Sequence, residues 1–246
     1  MEVYENLSGA RMHAAFYRPH NLGKQINQFI VKKILNNTKC ISVSLSEINS
    51  ILLFNKVWCS RLKNVGILDN NQISKFSITG VLRRSCGFKE DLRVLNSSKY
   101  SFYRYLKVSS FFSRNGDSYD RYVLRLSEMY ESLNIINNVT PLFHRNNLFL
   151  FNKTFFSIEN TISCFKLWSS NFILRKKEAY CYIESPKGTF GLFLNISNKN
   201  TILKCKIKSP SYNNLLLLKY LLPGHQLADI ITMIGTIDIV FGEVDR

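Results

Sequence analysis

The sequence predicts an α+β protein that is mainly helical and carries a small antiparallel β-meander, in one domain spanning residues 1–246. Apolar residues recur at three- and four-residue steps along most of the chain, which indicates helices with one buried face. Alternation of apolar and polar residues is confined to residues 179–208, which indicates strands. With 246 residues, of which 46% are hydrophobic, the chain can bury one sizeable core or two small ones.

Two helices are predicted in the first part of the chain. Residues 2–17 place apolar side chains on one helical face, and no capping residue precedes them. The second helix is predicted to begin at a capping box, Ser44 to Glu47, and to end near Gly66.

Further helices are predicted in the second half. One begins at Asp117 and is expected to keep Arg121, Arg125 and Glu128 off its buried face. Asp117 and Asp120 lie in its first turn, where negative charge is favoured, so a structural cap is expected there. The other helices cover residues 158–168 and residues 212–234, with an interruption at Pro223-Gly224.

The meander is predicted from two strands and a turn. Residues 179–184 and 189–194 flank the sequence SPKG at 185–188, where proline and glycine favour a tight turn. Residues 203–208 alternate strictly, which gives the third strand one apolar face and one lysine face. We therefore expect a sheet with one face in water.

Charge, hydropathy and cysteine spacing limit the class of protein. The formal net charge of +16 favours a polyanionic partner, but the basic residues are scattered, which equally suits a subunit among acidic neighbours. No stretch approaches the roughly 18 apolar residues of a membrane-spanning helix. The six cysteines form no CxxC pair, so we expect this chain to bind neither zinc nor an iron–sulfur cluster by itself.

The most informative segment is residues 235–246 (GTIDIVFGEVDR), which we call the tail. Its apolar run is interleaved with Asp238 and Glu243 and closed by Asp245 and Arg246. An edge strand with solvated charges is one interpretation. A buried segment is the other, and it requires partners for the carboxylates because an unpaired buried charge costs several kcal/mol.

Five further blocks accompany the tail in the same order as in a known family. The chain resembles the 49 kDa subunit family of respiratory complex I in these blocks: LSGARMHAAFYRP at 7–19, GDSYDRY at 116–122, IESPKGTFG at 183–191, CKIKSP at 205–210 and LAD at 227–229.

The resemblance implies a peripheral-arm subunit of proton-pumping NADH:ubiquinone oxidoreductase, with a helical core like the large subunit of nickel–iron hydrogenases. It implies ubiquinone at a subunit interface and a terminal 4Fe–4S cluster held by the adjacent small subunit. The implied partners are that small subunit, a 30 kDa-type subunit and membrane subunit 1. Family members also carry an N-terminal region before this chain, which we expect either on a separate polypeptide or outside this sequence, so the isolated chain is expected to be inactive.

The resemblance also implies roles for particular residues. His13 would face the 4Fe–4S cluster and take up a proton on its reduction, with Arg11 balancing cluster charge. In the tail, the residues expected along the quinone cavity are Asp238, Val240, Phe241 and Glu243, while Asp245 and Arg246 would close an ion-pair network. The opening segment and the tail would then converge on a slot between cluster and quinone.

Three positions depart from the family pattern. Ser118 stands where relatives usually have cysteine, which argues against a metal role for this position. His20 and Asn21 replace paired glycines, so this loop is expected to be less permissive.

Composition and charge leave the setting and one alternative function open. Richness in Phe, Asn, Ile, Leu and Ser without a presequence suggests an organelle-encoded protein on the matrix side of the mitochondrial inner membrane. The alternative is a basic organellar nucleic-acid-binding protein, such as a ribosomal component, which the net charge alone would favour.

Overall fold

A computed structural model describes residues 1–14, 16–18, 21–22, 26–95, 103, 105–145, 158–169, 178–197 and 201–245. The chain divides into two compact units. Unit 1 comprises Met1–Glu47 and Ser132–Phe172, and unit 2 comprises Ile48–Glu131 and Ile173–Arg246.

Helices predominate among the described residues, as predicted. The helices are α1 (Glu2–Ser8), α2 (Gln28–Leu53), α3 (Lys56–Leu62), α4 (Asn70–Lys75), α5 (Val81–Ser85), α6 (Leu92–Leu95), α7 (Ser118–Arg145), α8 (Ile158–Ser169), α9 (Pro210–Leu221), α10 (Leu227–Ile237) and α11 (Phe241–Val244). The strands are β1 (Tyr17–Arg18), β2 (Asn21–Leu22), β3 (Glu178–Ser185), β4 (Gly188–Ile196) and β5 (Ile202–Lys208).

The predicted fold class is confirmed, and so are the helices of the second half. Helix α7 begins one residue after Asp117, and α8 matches the predicted residues 158–168 to within one residue. The stretch from α9 to α10 is interrupted at Pro223-Gly224, because proline lacks the amide N–H that a continuing helix needs.

Two predicted helices have different bounds. Helix α1 ends at Ser8, because Gly9 adopts a left-handed conformation with φ of 82° and caps the helix. The capping box at Ser44 is wrong, since α2 runs through it. Nearby serines are tolerated there because their hydroxyls donate to carbonyls of the preceding turn, as Ser42 does to Lys39 at 2.7 Å.

The following helix, α3, begins at Lys56 and is capped by Asn55. The Asn55 side-chain oxygen accepts hydrogen bonds from the amides of Val57 at 3.0 Å and Trp58 at 3.3 Å, so it caps α3. Helix α3 then ends at Leu62, four residues before the predicted Gly66.

Unit 1 is joined by polar contacts between its helices. Lys33 of α2 forms an ion pair with Glu2 of α1 at 2.9 Å. Thr38 of α2 donates to the side-chain oxygen of Asn137 of α7 at 3.1 Å, and Thr38 is buried. These contacts tie α1 and the C-terminal part of α7 to the same helix.

Unit 2 contains a hydrophobic core built mainly from α4, α5, α9 and α10. Each fully buried aliphatic side chain contributes about 1.5–3 kcal/mol relative to an exposed one. The core residues are Leu68, Ile73, Ile78, Leu82, Leu217, Leu218, Leu221, Met233 and Ile237.

The meander is a three-stranded antiparallel sheet in the order β3-β4-β5, as predicted. Ser185 pairs with Gly188, so Pro186 and Lys187 form a two-residue turn. Gly188 has φ of 139°, and a Cβ there would lie 2.6 Å from the hydroxyl of Thr79. This close approach lets the Thr189 amide donate to the same hydroxyl at 2.8 Å, which fixes the turn against the loop before α5.

The solvent exposure of the meander differs from the prediction. Its apolar face is exposed, with Ile183 at 52% and Leu203 at 68%. The opposite face is covered near the hairpin end, where the Glu184 carboxylate is buried against Arg84 of α5, and is exposed farther along, with Tyr180 at 52%. The arginine explains the burial of Glu184, because a buried cation gives this carboxylate a partner.

No described helix is both long enough and apolar enough to span a bilayer.

Candidate functional site

The tail is held in unit 2 by the hairpin turn of the meander. The Lys187 ammonium lies 3.1 Å from the Asp238 carboxylate and donates to the Asp238 backbone carbonyl at 2.9 Å. Because the turn is fixed by its close contact with Thr79, Lys187 is presented from a rigid element. The SPKG motif therefore forms the predicted turn and also supplies a cation, Lys187, that contacts the tail.

Asp238 is also the residue that ends α10. It adopts a left-handed conformation, with φ and ψ both 58°, which aspartate tolerates better than most side chains. Its carboxylate lies 3.4 Å from the Arg125 guanidinium. Two cations from different elements thus contact one carboxylate at the helix end.

Arg125 also binds the backbone at the C-terminal end of α10. Its guanidinium donates to the carbonyls of Thr236 at 3.2 Å and Ile237 at 3.4 Å, which belong to the last turn of the helix. A cation is favoured there by the helix dipole. Burial lowers the pKa of Arg125, while Asp238 opposes that shift.

Arg121, one turn earlier on α7, is fully buried. It donates to the carbonyls of Gly66 and Gly116, the second at 2.9 Å, and lies 3.4 Å from the Thr236 hydroxyl. Burial lowers its pKa to about 10. The prediction that Arg121 lies off the buried face of the helix is wrong. Its guanidinium is buried because backbone carbonyl groups accept its hydrogen bonds, and hydrophobic periodicity does not indicate such partners.

The first turn of α7 has the structural role predicted for it. Asp117 accepts hydrogen bonds from the amides of Asp120 at 2.8 Å and Asn64 at 3.1 Å, so it caps the helix. Ser118 is buried and donates to the Val65 carbonyl at 2.9 Å. The serine hydroxyl is therefore used in packing α7 against the loop after α3.

Glu243 provides a second anchor for the tail. Its carboxylate accepts a 2.6 Å hydrogen bond from the hydroxyl of Ser211, in the first turn of α9. The N-cap of α9, Ser209, makes no capping bond with its own side chain, so Glu243 supplies the negative charge that a helix N-terminus favours. A cavity of about 910 Å³ opens beside this contact, lined by residues of β3, β4, β5, α9 and α11.

Between the two anchors the tail exposes apolar side chains. Val240 is 44% exposed and Phe241 is 62% exposed. The segment turns into the short helix α11 rather than forming a strand, so the edge-strand interpretation is wrong. The carboxylates at positions 238 and 243 both have partners, which fixes the backbone on either side of Phe241.

The end of the tail closes α11. Asp245 is exposed, and its amide donates to the Phe241 carbonyl at 3.0 Å. Arg246 lies outside the described residues, so the ion-pair network predicted for Asp245 and Arg246 stays a prediction.

A buried arginine that the sequence did not reveal supports the hairpin. Arg84 of α5 is 2% exposed and contacts Glu128 of α7 at 2.6 Å and Glu184 of β3 at 3.0 Å. Burial acts to lower the pKa of Arg84, but the two carboxylates outweigh it and hold the pKa above its ordinary value. Arg84 therefore joins α5 and α7 to β3 close to the turn that carries Lys187.

The candidate residues of unit 1 lie outside the helices and strands. Because α1 ends at Ser8, Arg11 and His13 fall in a bent stretch, residues 9–14, which we call the opening segment. His13 is exposed, and Arg11 pairs with Glu5 at 3.2 Å. The cluster-facing roles of both residues stay predictions, as does their convergence with the tail.

The remaining sequence candidates concern the loop after the opening segment and possible metal ligands. Asn21 begins β2, and His20 lies outside the described residues. In the part of the chain that the structure describes, no three His, Cys, Asp or Glu side chains come together as a metal site requires. Free thiols are present at Cys40, Cys59, Cys86, Cys181 and Cys205.

Comparison with known proteins gives the class to which this chain and its anchored tail belong. Residues 1–246 match the family model described as respiratory-chain NADH dehydrogenase, 49 Kd subunit. The whole chain is also 41% identical over 268 residues to the NADH-ubiquinone oxidoreductase 49 kDa subunit of Paramecium tetraurelia, covering 66% of that protein.

Other relatives agree. The 49 kDa subunit of Acanthamoeba castellanii is 36% identical over the whole chain, which covers 63% of it. A subunit of the NADH-quinone oxidoreductase of Orientia tsutsugamushi (strain Boryong) is 33% identical, with 64% of its length covered. The chain belongs to the 49 kDa subunit family of respiratory-chain NADH dehydrogenase. It spans slightly under two thirds of the length of these relatives.

Proposed function

We propose that this chain forms part of the quinone-reduction cavity of a proton-pumping NADH:ubiquinone oxidoreductase. The relatives are named NADH-ubiquinone or NADH-quinone oxidoreductase subunits, which supports this activity over the nucleic-acid-binding alternative. The chain acts within the assembled enzyme, in the peripheral arm on the matrix side of the mitochondrial inner membrane.

The observation that carries the proposal is the two-point anchoring of the tail. Asp238 is held by Lys187 and Arg125, and Glu243 is held by Ser211, while Val240 and Phe241 stay exposed between them. Binding sites for small molecules are mostly apolar with a few fixed polar groups, and the tail presents this combination on an immobilised backbone.

The chemistry that these residues can supply follows from their contacts. Val240 and Phe241 offer apolar contact area to a quinone headgroup, and an aromatic ring adds stacking. Quinone reduction to quinol takes two electrons and two protons. Asp238 and Glu243 bring negative charge beside the headgroup wall, where they tune the local field or relay protons.

The second part of the proposal concerns the opening segment. We place His13, with Arg11, next to the terminal 4Fe–4S cluster of the cluster-bearing small subunit. An exposed imidazole can reach a partner surface and share its proton with a cluster sulfur. The other proposed partners are the 30 kDa-type subunit, membrane subunit 1 and the polypeptide carrying the rest of the 49 kDa subunit.

Replacing the exposed aromatic side chain of the tail tests the cavity. In the assembled enzyme, Phe241→Ala is expected to raise the KM for a short-chain quinone roughly tenfold, since a well-placed aromatic contact is worth about 1–2 kcal/mol. NADH oxidation by an artificial acceptor that bypasses the quinone site should be unchanged.

The matched control is Phe54→Ala, because Phe54 is also strongly exposed, at 86%, and lies outside the tail. The proposal fails if both variants show the same KM for quinone as the parent enzyme. It also fails if Phe241→Ala reduces both activities in proportion, since that result indicates loss of enzyme rather than loss of quinone contact.

A further inference from the structure

In its described strands, one face of the meander consists of apolar side chains and cysteines, exposed along β3 and β5 and partly exposed along β4. Strand register places Cys181 opposite Leu192 and Leu194 opposite Cys205 on this face. The sheet face, which we call the apolar face, comprises Ala179, Cys181, Ile183, Phe190, Leu192, Leu194, Leu203, Cys205 and Ile207.

This arrangement differs from an ordinary antiparallel sheet, because apolar residues are exposed here and residues of the opposite face, such as Tyr180, are exposed as well. Such sheets pack their apolar face on the core and present polar residues to water. Here β5 keeps Leu203 and Ile207 exposed, and its three lysines lie on the opposite face. Nine neighbouring positions without a charge or a strongly hydrogen-bonding group exceed the scattered apolar residues that surfaces normally carry.

The exposed apolar residues of α2 have a different setting. There the exposed Ile41 and Val43 alternate with Ser42 and Ser44, which suits a mixed contact between subunits. The apolar face has the composition of a domain core cut in half, which is typical of obligate interfaces.

We infer that the apolar face is covered by the remaining region of the 49 kDa subunit itself. The curated relatives carry about a third of their length outside the match, since this chain covers 63–66% of them. That amount of polypeptide is ample to cover a three-stranded sheet. The inference concerns how the subunit is completed, whether by one polypeptide or two, and goes beyond the proposed quinone function.

Photo-cross-linking in the intact enzyme identifies the occupant directly. A diazirine analogue of leucine, incorporated during growth, places a zero-length cross-linker at Leu192, Leu194 and Leu203. Irradiation of the purified enzyme and mass spectrometry should give cross-links from these positions to the remaining region of the 49 kDa sequence. Cross-links to another subunit or to a second copy of this chain would overturn the inference.

Thiol chemistry gives an independent check at the same face. Cys181 and Cys205 are exposed in this chain, so both should react with a maleimide when the chain is alone. In the assembled enzyme we expect their alkylation to slow by at least tenfold. Unchanged reactivity together with an absence of cross-links would show that the face stays open, and the inference would fall.

Two adjacent residues of β5 provide a matched pair of variants. Leu203→Glu places a charge on the apolar face, and Lys204→Glu reverses a charge on the opposite face. Because both side chains are exposed, circular dichroism should show that each variant is folded. We expect Leu203→Glu to reduce recovery of this chain in the assembled enzyme at least tenfold, and Lys204→Glu to leave it near normal. Equal recovery of the two variants contradicts the inference. The quinone KM of the Phe241→Ala variant is a separate readout, so either proposal can fail alone.

Discussion

The tail and the opening segment both place charged residues beside apolar ones, yet their surroundings differ. In unit 2, the tail is fixed by Lys187, Arg125 and the first turn of α9. In unit 1, the opening segment has one ion pair among its described residues, between Arg11 and Glu5, and the Arg11 side chain is 75% exposed. Exposed ion pairs contribute little, so the contacts within the chain hold the tail more firmly than the opening segment.

The comparison predicts the largest loss of stability where the support of the tail is most buried. Arg84→Met removes the cation that contacts both Glu128 and Glu184, and breaking a buried pair of this kind costs about 3–5 kcal/mol. Urea unfolding of the full chain measures this loss.

The neighbouring arginine is the control. Arg83 pairs with the exposed Glu90, so Arg83→Met should cost less than about 1 kcal/mol. If the two variants unfold at the same urea concentration, the buried cluster does not support the hairpin as described.

A second pair in unit 2 predicts a dependence on pH. The Asp91 carboxylate, 1% exposed, accepts hydrogen bonds from Arg93 at 2.7 to 3.3 Å. Burial acts to raise the pKa of Asp91, but Arg93 outweighs it and the pKa lies below its ordinary value. The unfolded chain therefore binds the proton first as pH falls, so this contribution to stability is complete above about pH 4 and is lost below it.

Asp91→Asn isolates that contribution. Removing a charged hydrogen-bond partner should cost about 1.5–3 kcal/mol at neutral pH, and the loss of stability on acidification should become shallower. Urea midpoints at a series of pH values measure both effects. The same acid dependence in variant and parent would assign it to other carboxylates.

A smaller effect is expected at the partly exposed anchor of the tail. Lys187→Met and Asp238→Asn, singly and together, form a double-mutant cycle. Because the Asp238 side chain is about half exposed, we expect a coupling of roughly 1 kcal/mol or less. A coupling of zero would show that the hairpin does not hold the tail.

The sequence predicts elements whose pattern is local. The turn at Pro186-Lys187, the start of α7 and the break after α9 follow from proline, glycine and capping residues, and the structure has them. The sequence does not predict the end of α1 correctly, because the apolar spacing continues past Gly9. The glycine alone ends the helix.

Residues of the candidate site could be predicted only where the family resemblance includes them. Resemblance led to Asp238 and Glu243, but their partners Lys187, Arg125 and Ser211 come from distant positions in the sequence. Arg84 and Arg121 are buried among carboxylates and carbonyls that tertiary packing brings together, and hydrophobic periodicity assigns such arginines to the surface.

The smallest effect on stability and the most specific effect on function are expected at His13. The side chain is exposed, so His13→Met should change the free energy of unfolding by less than about 0.5 kcal/mol. If the imidazole takes up the proton that accompanies reduction of the neighbouring cluster, the variant should lose the pH dependence of that cluster's midpoint potential near neutrality. His225→Met, a histidine of unit 2 outside both candidate regions, should retain it. Redox titrations of the assembled enzyme at several pH values separate the outcomes. If the midpoint potential of the cluster depends on pH in His13→Met as it does in the parent enzyme, the opening segment is a structural contact and the tail is the functional region of this chain.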